Sequence, residues 1–436
     1  KVNDALALSG IALETGAGSL TLSGALALTD NASLNSSGGT ITLQSGGNAS
    51  TGSVVSLPDT TLVTHNYLSF YGSTLTAKNT TFTTNGYALA VDSGSILEVE
   101  GTQNISGLFS DNTSTLRLTA DTELNNDAWF WIDTLDLANN ALTFDDQMAK
   151  LSVVQPVTLD AAGEQILTGA ADLALNGGIS VTAGTLSSTG GALTLPSGAT
   201  LVSGASFSTS NTTLNLGGSL VVADTWTSTD TSVLLTGNAS LSSTEEMSLA
   251  ALTTNGYNFE LASVTSDLTI QDVFALTGSE VLATNGADLI FEGSVTTSSV
   301  STIDAGDGGM LEFQNGGTAT GEINAENAVF KIGAAYAVPG TLKTNGSTTW
   351  DLGTANLDLS GGKLELGGDV VLDQILTDNL TSFKLREDAT VTRYEGFRLG
   401  GLDFNNFTFT LGSATTDLTL AVGTSSGWKL IAKQAD

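Results

Sequence analysis

Between Leu268 and Leu352 the chain repeats one short motif, in which two apolar residues flank a variable one. Its copies are spaced by about 20 residues and are Leu268-Thr-Ile270, Leu289-Ile-Phe291, Leu311-Glu-Phe313, Phe330-Lys-Ile332 and Trp350-Asp-Leu352. The motif also occurs earlier, at Leu173, Leu193 and Leu214. Apolar alternation is the periodicity of a β-strand. A strand this short cannot bury its apolar side alone, so the copies must stack on one another.

This regular step predicts an all-β fold, an elongated parallel β-solenoid with coils of about 20 residues. The alternative is an array of antiparallel β-sandwiches, in which turns recur about every 8–12 residues. The segment from Leu357 to Leu372 has that closer spacing. Helix signals are weak, and the best candidates for a helical turn are Asp145 to Val153 and Ser243 to Leu252.

The tripeptide Thr-Asn-Gly marks several predicted corners and starts at Thr84, Thr254, Thr284 and Thr344. Asn and Gly are the residues that most readily adopt positive φ angles in tight turns. The copies are unevenly spaced, and two of the three intervals between them are not whole multiples of the repeat step. The tripeptide is therefore interpreted as a reused corner and not as a strict marker of the repeat.

The composition narrows the classes of partner and the cellular location. The chain has 45 acidic and 13 basic residues, a formal net charge of −32, and no cysteine. Phosphate binding needs Lys and Arg, so we expect no nucleic-acid partner. There is no run of about 18 apolar residues, and we expect no membrane insertion. The absence of cysteine and the start at Lys1-Val2-Asn3 favour a mature secreted protein, extracellular or on a cell surface.

Charge is unevenly distributed along the chain. No basic residue occurs from Leu151 to Phe330, a stretch with eighteen acidic residues. Basic residues are concentrated in the C-terminal part of the chain, from Lys363 onwards. The ordinary interpretation is a solvated acidic body followed by an end domain. The alternative is a basic end that binds the acidic body of the next subunit.

We expect residues 1–396 to form the solenoid body and residues 397–436 to form an aromatic and basic cap or assembly segment. An open solenoid end leaves unpaired backbone groups that need a cap or a partner. End-to-end contacts would then produce a homopolymer. The residues assigned to this assembly surface are Lys384, Arg386, Arg393, Arg398, Phe404, Phe407, Phe409 and Trp428.

Two features could carry binding or metal chemistry. The cluster Trp129-Phe130-Trp131 is interpreted as a core plug or an irregular coil, with a sugar-stacking platform as the alternative. Asp304 and Asp307 lie in a Gly-rich loop and are the candidate ligands for Ca²⁺, which prefers several oxygen ligands. A polar corner without metal is the ordinary alternative, and no other cofactor is expected.

Catalysis is not expected. The only histidine is His65, which excludes a zinc site built from several histidines and is expected in a surface loop. A glycan-cleaving β-helix would need paired carboxylates in a cleft. The candidates are Asp304, Asp307 and Glu312, or Asp133 and Asp136 near Trp129 and Trp131. Any chain this acidic contains such pairs, so they are weak evidence.

The segments Gly18-Ser-Leu-Thr-Leu-Ser-Gly24 and Gly191-Ala-Leu-Thr-Leu-Pro-Ser-Gly198, together with the acidity and the lack of cysteine, resemble bacterial secreted β-solenoid surface proteins. These are the autotransporter passengers and the filamentous haemagglutinin-like adhesins. The resemblance implies adhesion, matrix or filament roles without catalysis.

From these observations we expect a non-enzymatic extracellular structural protein, a self-assembling subunit of a bacterial surface filament, sheath or matrix. The alternatives are a surface adhesin that binds glycans and a β-helical polysaccharide lyase or hydrolase.

Overall fold

The computed structural model describes residues 1–106, 108–109, 113–126, 129–145, 150–223, 226–393, 397–412, 418–420 and 430–432. The chain divides into two compact units, unit 1 (Lys1–Thr227) and unit 2 (Ser228–Asp436). Strands and turns make up the described residues of both units. Within those residues there is no helix with the length and apolar character needed to cross a membrane.

The strands of unit 1 are β1 (Leu6–Ser9), β2 (Ala12–Gly16), β3 (Leu20–Leu22), β4 (Leu26–Thr29), β5 (Ser33–Ser36), β6 (Thr40–Leu43), β7 (Gly47–Ala49), β8 (Val54–Pro58), β9 (Thr61–Thr64), β10 (Leu68–Tyr71), β11 (Thr74–Lys78), β12 (Thr81–Thr83), β13 (Leu89–Asp92), β14 (Ile96–Ile105), β15 (Leu108–Phe109), β16 (Thr115–Asn126), β17 (Trp129–Ile132), β18 (Thr134–Asp136), β19 (Ala141–Phe144), β20 (Lys150–Val153), β21 (Val157–Leu159), β22 (Gln165–Leu167), β23 (Asp172–Leu175), β24 (Ile179–Val181), β25 (Thr185–Ser188), β26 (Ala192–Leu195), β27 (Ala199–Leu201), β28 (Ser206–Ser210), β29 (Thr213–Leu216) and β30 (Ser219–Val222). Strand β31 (Trp226–Thr229) contains residues of both units.

The strands of unit 2 are β32 (Ser232–Leu235), β33 (Ala239–Ser243), β34 (Met247–Leu249), β35 (Ala251–Thr253), β36 (Phe259–Leu261), β37 (Leu268–Ile270), β38 (Phe274–Leu276), β39 (Val281–Ala283), β40 (Leu289–Phe291), β41 (Val295–Thr297), β42 (Thr302–Asp304), β43 (Met310–Phe313), β44 (Gly317–Ala319), β45 (Glu322–Asn324), β46 (Val329–Ile332), β47 (Tyr336–Ala337), β48 (Thr341–Lys343), β49 (Thr349–Asp351), β50 (Leu357–Asp358), β51 (Lys363–Val371), β52 (Ile375–Leu376), β53 (Ser382–Thr392), β54 (Phe397–Leu399), β55 (Gly401–Asp403), β56 (Phe409–Leu411), β57 (Leu418–Leu420) and β58 (Leu430–Ala432).

A turn of unit 1 contains three strands, one on each of three faces, and each strand pairs with its counterpart in the next turn. On the first face β1, β4, β7, β10, β13 and β15 form one ladder, and a second begins at β17 and continues through β20, β23 and β26. On the second face the ladder from β2 runs to β18, and another starts at β21. The third face carries β3, β6, β9 and β12, followed by the second halves of β14 and β16 and then β19, β22, β25 and β28.

Unit 2 is built in the same way. One of its faces carries β37, β40, β43, β46 and β49, another carries β38, β41, β44, β47, β50 and β52, and the third carries β36, β39, β42, β45, β48, β51 and β53. The long strands β51 and β53 each bend, with a register shift between Leu366 and Gly368, so that their two halves belong to successive faces.

The strand register confirms the parallel β-solenoid. Leu268 pairs with Leu289, Leu289 with Leu311, Leu311 with Phe330 and Phe330 with Trp350, all in parallel strands. The repeated motif therefore marks successive turns, and the described part of the chain forms about 19 of them with roughly 21 residues each. The antiparallel alternative is wrong. In the region from Leu357 to Leu372, β50 also pairs in parallel with β47, and β51 with β48.

Two expectations about local structure are corrected. The segment Ser243 to Leu252 is not helical, because it forms the end of β33, then β34 and the start of β35. Its alternating residues Met247 and Leu249 are buried, as strand periodicity requires. In the other candidate segment, Lys150–Val153 is strand β20, and residues 146–149 lie outside the described part of the chain.

The core of unit 2 contains a ladder of aromatic rings. The ring centroids of Phe274 and Phe291 are 5.1 Å apart, those of Phe291 and Phe313 are 5.3 Å apart, and those of Phe313 and Tyr336 are 4.5 Å apart. These four side chains are fully buried. Stacked aromatic burial of this kind stabilises each turn only through its neighbours, as a repeat architecture requires.

Three of the four Thr-Asn-Gly corners are the same tight turn. In the copy at Thr254, Asn255 and Gly256 have φ angles of 52° and 88°, and the Tyr257 amide donates to the Thr254 carbonyl at 2.9 Å. Positive φ at both central residues is the signature of a type I′ turn. The copies at Thr84 and Thr284 have the same φ signs and the same hydrogen bond.

Asp side chains join one turn to the next. The carboxylate of Asp172 accepts a hydrogen bond from the backbone amide of Ala192, one turn later, at 2.7 Å. Asp267 accepts from the amide of Asp288 at 2.8 Å, and Asp288 accepts from the amide of Met310 at 2.9 Å. Part of the acidic composition is thus used to satisfy backbone donors at corners.

Candidate functional site

Strand β17 presents two tryptophans on the outside of unit 1. Phe130 and Ile132 point into the core and are 1% exposed, whereas Trp129 alternates with them and is 57% exposed. The Trp129 and Trp131 rings meet edge to face, with centroids 5.7 Å apart and an interplanar angle of 85°. This geometry leaves a large apolar ring surface in contact with water, which is costly unless something binds it.

Lys150 completes this arrangement from the next turn. It is the register partner of Trp129, and its Nζ lies 5.2 Å from the centroid of the Trp129 ring. This distance is within the range of a cation–π interaction. No carboxylate forms an ion pair with Lys150 among the residues that the structure describes. We call Trp129, Trp131 and Lys150 the indole platform.

The core-plug interpretation of this cluster is correct only for Phe130 and is wrong for Trp129, because adjacent residues of a strand point to opposite sides. Sequence reasoning missed Lys150. The repeat spacing could have predicted that Lys150 lies beside Trp129, since Lys150 follows Trp129 by one step of the repeat.

A groove with a cavity volume of about 580 Å³ lies on the second face of unit 1. It opens where the ladder is interrupted, because β18 pairs with β16 and does not pair with β21. Its lining includes Arg117, Asp136, Pro156, Asp160 and Glu164. The carboxylate of Glu164 is buried and accepts hydrogen bonds from the backbone amide of Asp160 at 2.6 Å and from that of Ala161 at 3.2 Å. Glu164 therefore stabilises the corner at Asp160 and Ala161 by accepting hydrogen bonds from its backbone amides.

Unit 2 has a smaller groove, with a cavity volume of about 310 Å³. It also opens at an interruption, between β49 and the second half of β51. Its lining includes the half-buried Trp350 with Asp369, Val371 and Gln374. Both grooves thus arise where stacked strands separate, a feature that the repeat pattern does not encode.

The predicted calcium ligands already have partners within the fold. The Asp304 carboxylate accepts from the amide of Gly306 and from the side chain of Asn324, both at 3.1 Å. The Asp307 carboxylate accepts from the Asn327 side chain at 2.7 Å. The described residues contain no group of three or more acidic or histidine side chains placed to hold a metal ion. Calcium binding stays a prediction, and these bonds fit the alternative of a polar corner.

The carboxylates considered for catalysis are also bonded. Asp133 accepts from the Gln155 side chain at 3.0 Å, and Asp136 pairs with Arg117 at 2.9 Å. Glu312, on a different unit, pairs with Lys331 at 3.1 Å. Each carboxylate therefore contributes to contacts between successive turns, with register partners Arg117–Asp136 and Glu312–Lys331.

The residues assigned to the assembly surface have different environments. Arg386 pairs with Glu365 at 2.8 Å and with Glu326 at 3.1 Å, and Arg393 donates to the Ile375 carbonyl at 3.1 Å. Of the others, Phe404 and Phe409 are buried, Lys384 and Phe407 are half-buried, Arg398 is exposed, and Trp428 lies outside the described residues.

Within the predicted C-terminal segment 397–436, the described residues 397–412 continue the solenoid, because β55 and β56 pair in parallel with β53. A role for the segment as a cap or assembly surface stays a prediction. The buried Phe404 and Phe409 belong to the core, so a surface role would fall to exposed residues such as Arg398.

A second aromatic pair lies on the surface of unit 1. Tyr67 and Tyr87 are 62% and 41% exposed, and their ring centroids are 5.9 Å apart. They occupy corresponding corners of successive turns, beside the exposed His65, as expected for a surface histidine.

Comparison with known proteins finds no family model, no curated protein and no solved structure that matches this chain. Functional inference therefore depends on the chemistry of the sites themselves.

Proposed function

We propose that this protein is a non-enzymatic, extracellular structural protein, a self-assembling subunit of a bacterial surface filament, sheath or matrix. The observation that carries the proposal is the use of the candidate carboxylates. Asp133, Asp136, Asp304, Asp307 and Glu312 each accept hydrogen bonds or pair with a cation inside the fold. Side chains that hold turns together suit a scaffold better than a reaction site, where an acid and a base must face the substrate.

Assembly would use the same interaction as the fold, which is parallel pairing of strands in successive turns. Within each unit most strands pair with the strand one turn before them and the strand one turn after them. The terminal turn of any such ladder therefore offers unpaired backbone groups, and a turn of another copy can pair with them. This head-to-tail contact uses two different surfaces, so it extends into a filament instead of closing as a dimer.

The test is to measure particle mass by light scattering and particle shape by electron microscopy, at low and high salt. We expect concentration-dependent filaments or linear oligomers. Arg398→Gln removes an exposed cation of the predicted assembly segment, and Lys78→Gln, an exposed cation paired with Glu100, is the matched control. We expect Arg398→Gln to weaken assembly several-fold at low salt and Lys78→Gln to leave it unchanged. A monodisperse monomer under every condition would contradict self-assembly.

A second candidate function, a glycan-binding adhesin, is favoured by the exposed aromatic residues. The exposed Trp129 with its half-buried neighbour Trp131, and the exposed pair Tyr67 and Tyr87, are suited to stacking against the apolar face of a sugar. Binding of the full chain to a glycan array would support this function, and no binding to any glycan would contradict it.

A further inference from the structure

We propose that the indole platform binds a glycan that carries a single, isolated carboxylated sugar among neutral ones. This inference rests on the adhesin candidate, because it names the ligand class for that function. It has three supports in the structure, which are the exposed indole of Trp129, the neighbouring ring of Trp131 and the ammonium of Lys150.

The indoles account for the neutral part of the ligand. The backbone of Trp129 is held in place, because its strand is anchored by the buried Phe130 and Ile132 and by parallel pairing with β20. A pyranose presents C–H groups on one side, and a rigid indole can cover that side with little loss of conformational entropy.

Lys150 accounts for the carboxylate. Its ammonium lies over the Trp129 ring, 5.2 Å from the ring centroid, and has no ion-pair partner among the described residues, so a ligand carboxylate could pair with it. An ammonium positioned in this way favours an acidic sugar over a neutral sugar of the same shape.

The rest of the chain argues against a densely charged polysaccharide. The protein carries a formal net charge of −32, and the register partner of Lys150 in the following turn is Asp172. A polyuronate would place further carboxylates against this acidic surface and be repelled. A glycan with one carboxylate flanked by neutral sugars avoids that repulsion, which is screened beyond about 8 Å at physiological salt.

The experiment uses the full chain on an array of oligosaccharides that end in one N-acetylneuraminic acid. Each is printed beside its desialylated form and its carboxyl-reduced form, with hexagalacturonate as the densely charged comparison. We expect binding to the singly carboxylated glycans, weaker binding to the reduced forms and little or none to hexagalacturonate.

Calorimetry on the best-bound glycan then tests the residues. Trp129→Ala should weaken binding at least about tenfold, the loss usual for an aromatic hot spot. Trp129→Phe, which keeps an aromatic ring, should lose less. Lys150→Gln should weaken binding of the carboxylated glycan and leave the reduced form unchanged. Tyr257→Ala, which removes an exposed ring from another corner, is the matched control and should leave binding unchanged.

Three results would overturn the inference, and they distinguish failure of this site from failure of the adhesin function. Glycan binding that Trp129→Ala does not change, or an equal loss for carboxylated and reduced glycans in Lys150→Gln, would exclude this site while the adhesin function stands. Absence of binding to every glycan would contradict both.

Discussion

Tyr336 shows how a polar atom can be trapped by the stacking of turns. Its ring packs on Phe313 in the core of unit 2 and is 1% exposed, and burial raises the pKa of the phenol. Its hydroxyl has no hydrogen-bond partner among the described residues. A buried hydroxyl without a partner costs about 1–3 kcal/mol.

Tyr336→Phe should therefore stabilise the protein, by about 1 kcal/mol, because it removes the unpaired hydroxyl and keeps the ring. Urea unfolding of both forms measures the difference. Tyr257→Phe, at an exposed ring, should have no effect. A less stable Tyr336→Phe would show that the hydroxyl has a partner.

Glu365 is an ionised carboxylate held by two cations. Burial raises the pKa of Glu365, but hydrogen bonds from Lys363 at 2.5 Å and Arg386 at 2.8 Å outweigh burial and hold the pKa at about 2. The carboxylate is ionised more readily in the folded state than in the unfolded state. Its contribution to stability is therefore full above the ordinary pKa of 4.5 and is lost as the pH falls from there towards 2.

Glu365→Gln should lower the free energy of unfolding by about 1–3 kcal/mol at pH 7, since the Glu365 side chain is only 8% exposed. The loss should shrink when both proteins are unfolded by urea near pH 3. Glu322→Gln is the control, because the Glu322 side chain is 33% exposed and its pair with Lys343 should contribute less. A loss independent of pH would argue against an ionic role for Glu365.

At the scale of the structural element, the Thr-Asn-Gly corners between strands differ in how far their backbone geometry is fixed by the local sequence. Thr254 and Thr284 begin corners that the sequence alone predicts well, because Asn-Gly favours a type I′ turn locally. The copy at Thr344 differs, since neither Asn345 nor Gly346 has a positive φ, and the hydrogen bond runs from the Thr348 amide to the Asn345 carbonyl. At this copy the Asn345 side chain donates a hydrogen bond to the side chain of Asn327 in the preceding turn, at 2.7 Å.

Gly256→Ala tests the corner directly. Gly256 has a φ of 88°, and a Cβ there would meet no atom within 4 Å, so backbone strain is the only expected effect. The cost should be about 1–2 kcal/mol in urea unfolding. Gly256→Asn should lose less, because Asn tolerates this conformation better. Equal losses of stability in Gly256→Ala and Gly256→Asn would contradict the explanation that the positive φ of Gly256 causes the cost.

The Asp267–Asp288 step shows the cost of burying part of a carboxylate next to a second one in the adjacent turn. Burial, with the nearby Asp267 carboxylate, raises the pKa of Asp288 above its ordinary value of 3.8. A raised pKa means that the fold disfavours the ionised form, so the charge of Asp288 lowers stability once the pH exceeds the ordinary pKa.

Asp288→Asn removes the charge and keeps an oxygen that can accept from the Met310 amide. It should raise the free energy of unfolding at pH 7 by about 0.2–1 kcal/mol, the usual cost of like charges on adjacent strands. Below the ordinary pKa the gain should vanish. Asp172→Asn is the control, because the register partner of Asp172 is the cation Lys150 and not a second carboxylate, so removal of its charge should give no gain. A gain that persists at low pH would rule out charge as its cause.

For the whole molecule, the spacing of successive turns is the structural feature that can be predicted most directly from the sequence. Leu268, Leu289 and Leu311 are predicted neighbours from spacing alone and are register partners in successive strands. Spacing does not give the side to which a tryptophan of β17 points, nor the places where ladders are interrupted. From the sequence, the exposure of Trp129 and a cleft beside Asp136 are therefore only alternatives, and the structure shows an exposed Trp129 and a groove lined by Asp136.

Removing one whole turn should preserve the fold. Deletion of residues 289–310 places Leu311 under Leu268, in the position that Leu289 occupies, so the ladders on all three faces can close again. Circular dichroism and urea unfolding should show a folded protein of slightly lower stability. Deletion of residues 289–299, which removes half a turn, moves the following strands to the wrong faces and should abolish cooperative unfolding. Equal tolerance of both deletions would contradict this one-dimensional organisation.

The short span of these pairings also affects biosynthesis. Leu173 pairs with Leu193 in the strand that follows one turn later, and Leu193 pairs with Leu214 after one turn more. Closing loops of this length costs little entropy, and no strand must wait for a distant segment to be made. A nascent or translocating polypeptide could therefore become ordered progressively as it emerges, with each finished coil serving as the template for the next.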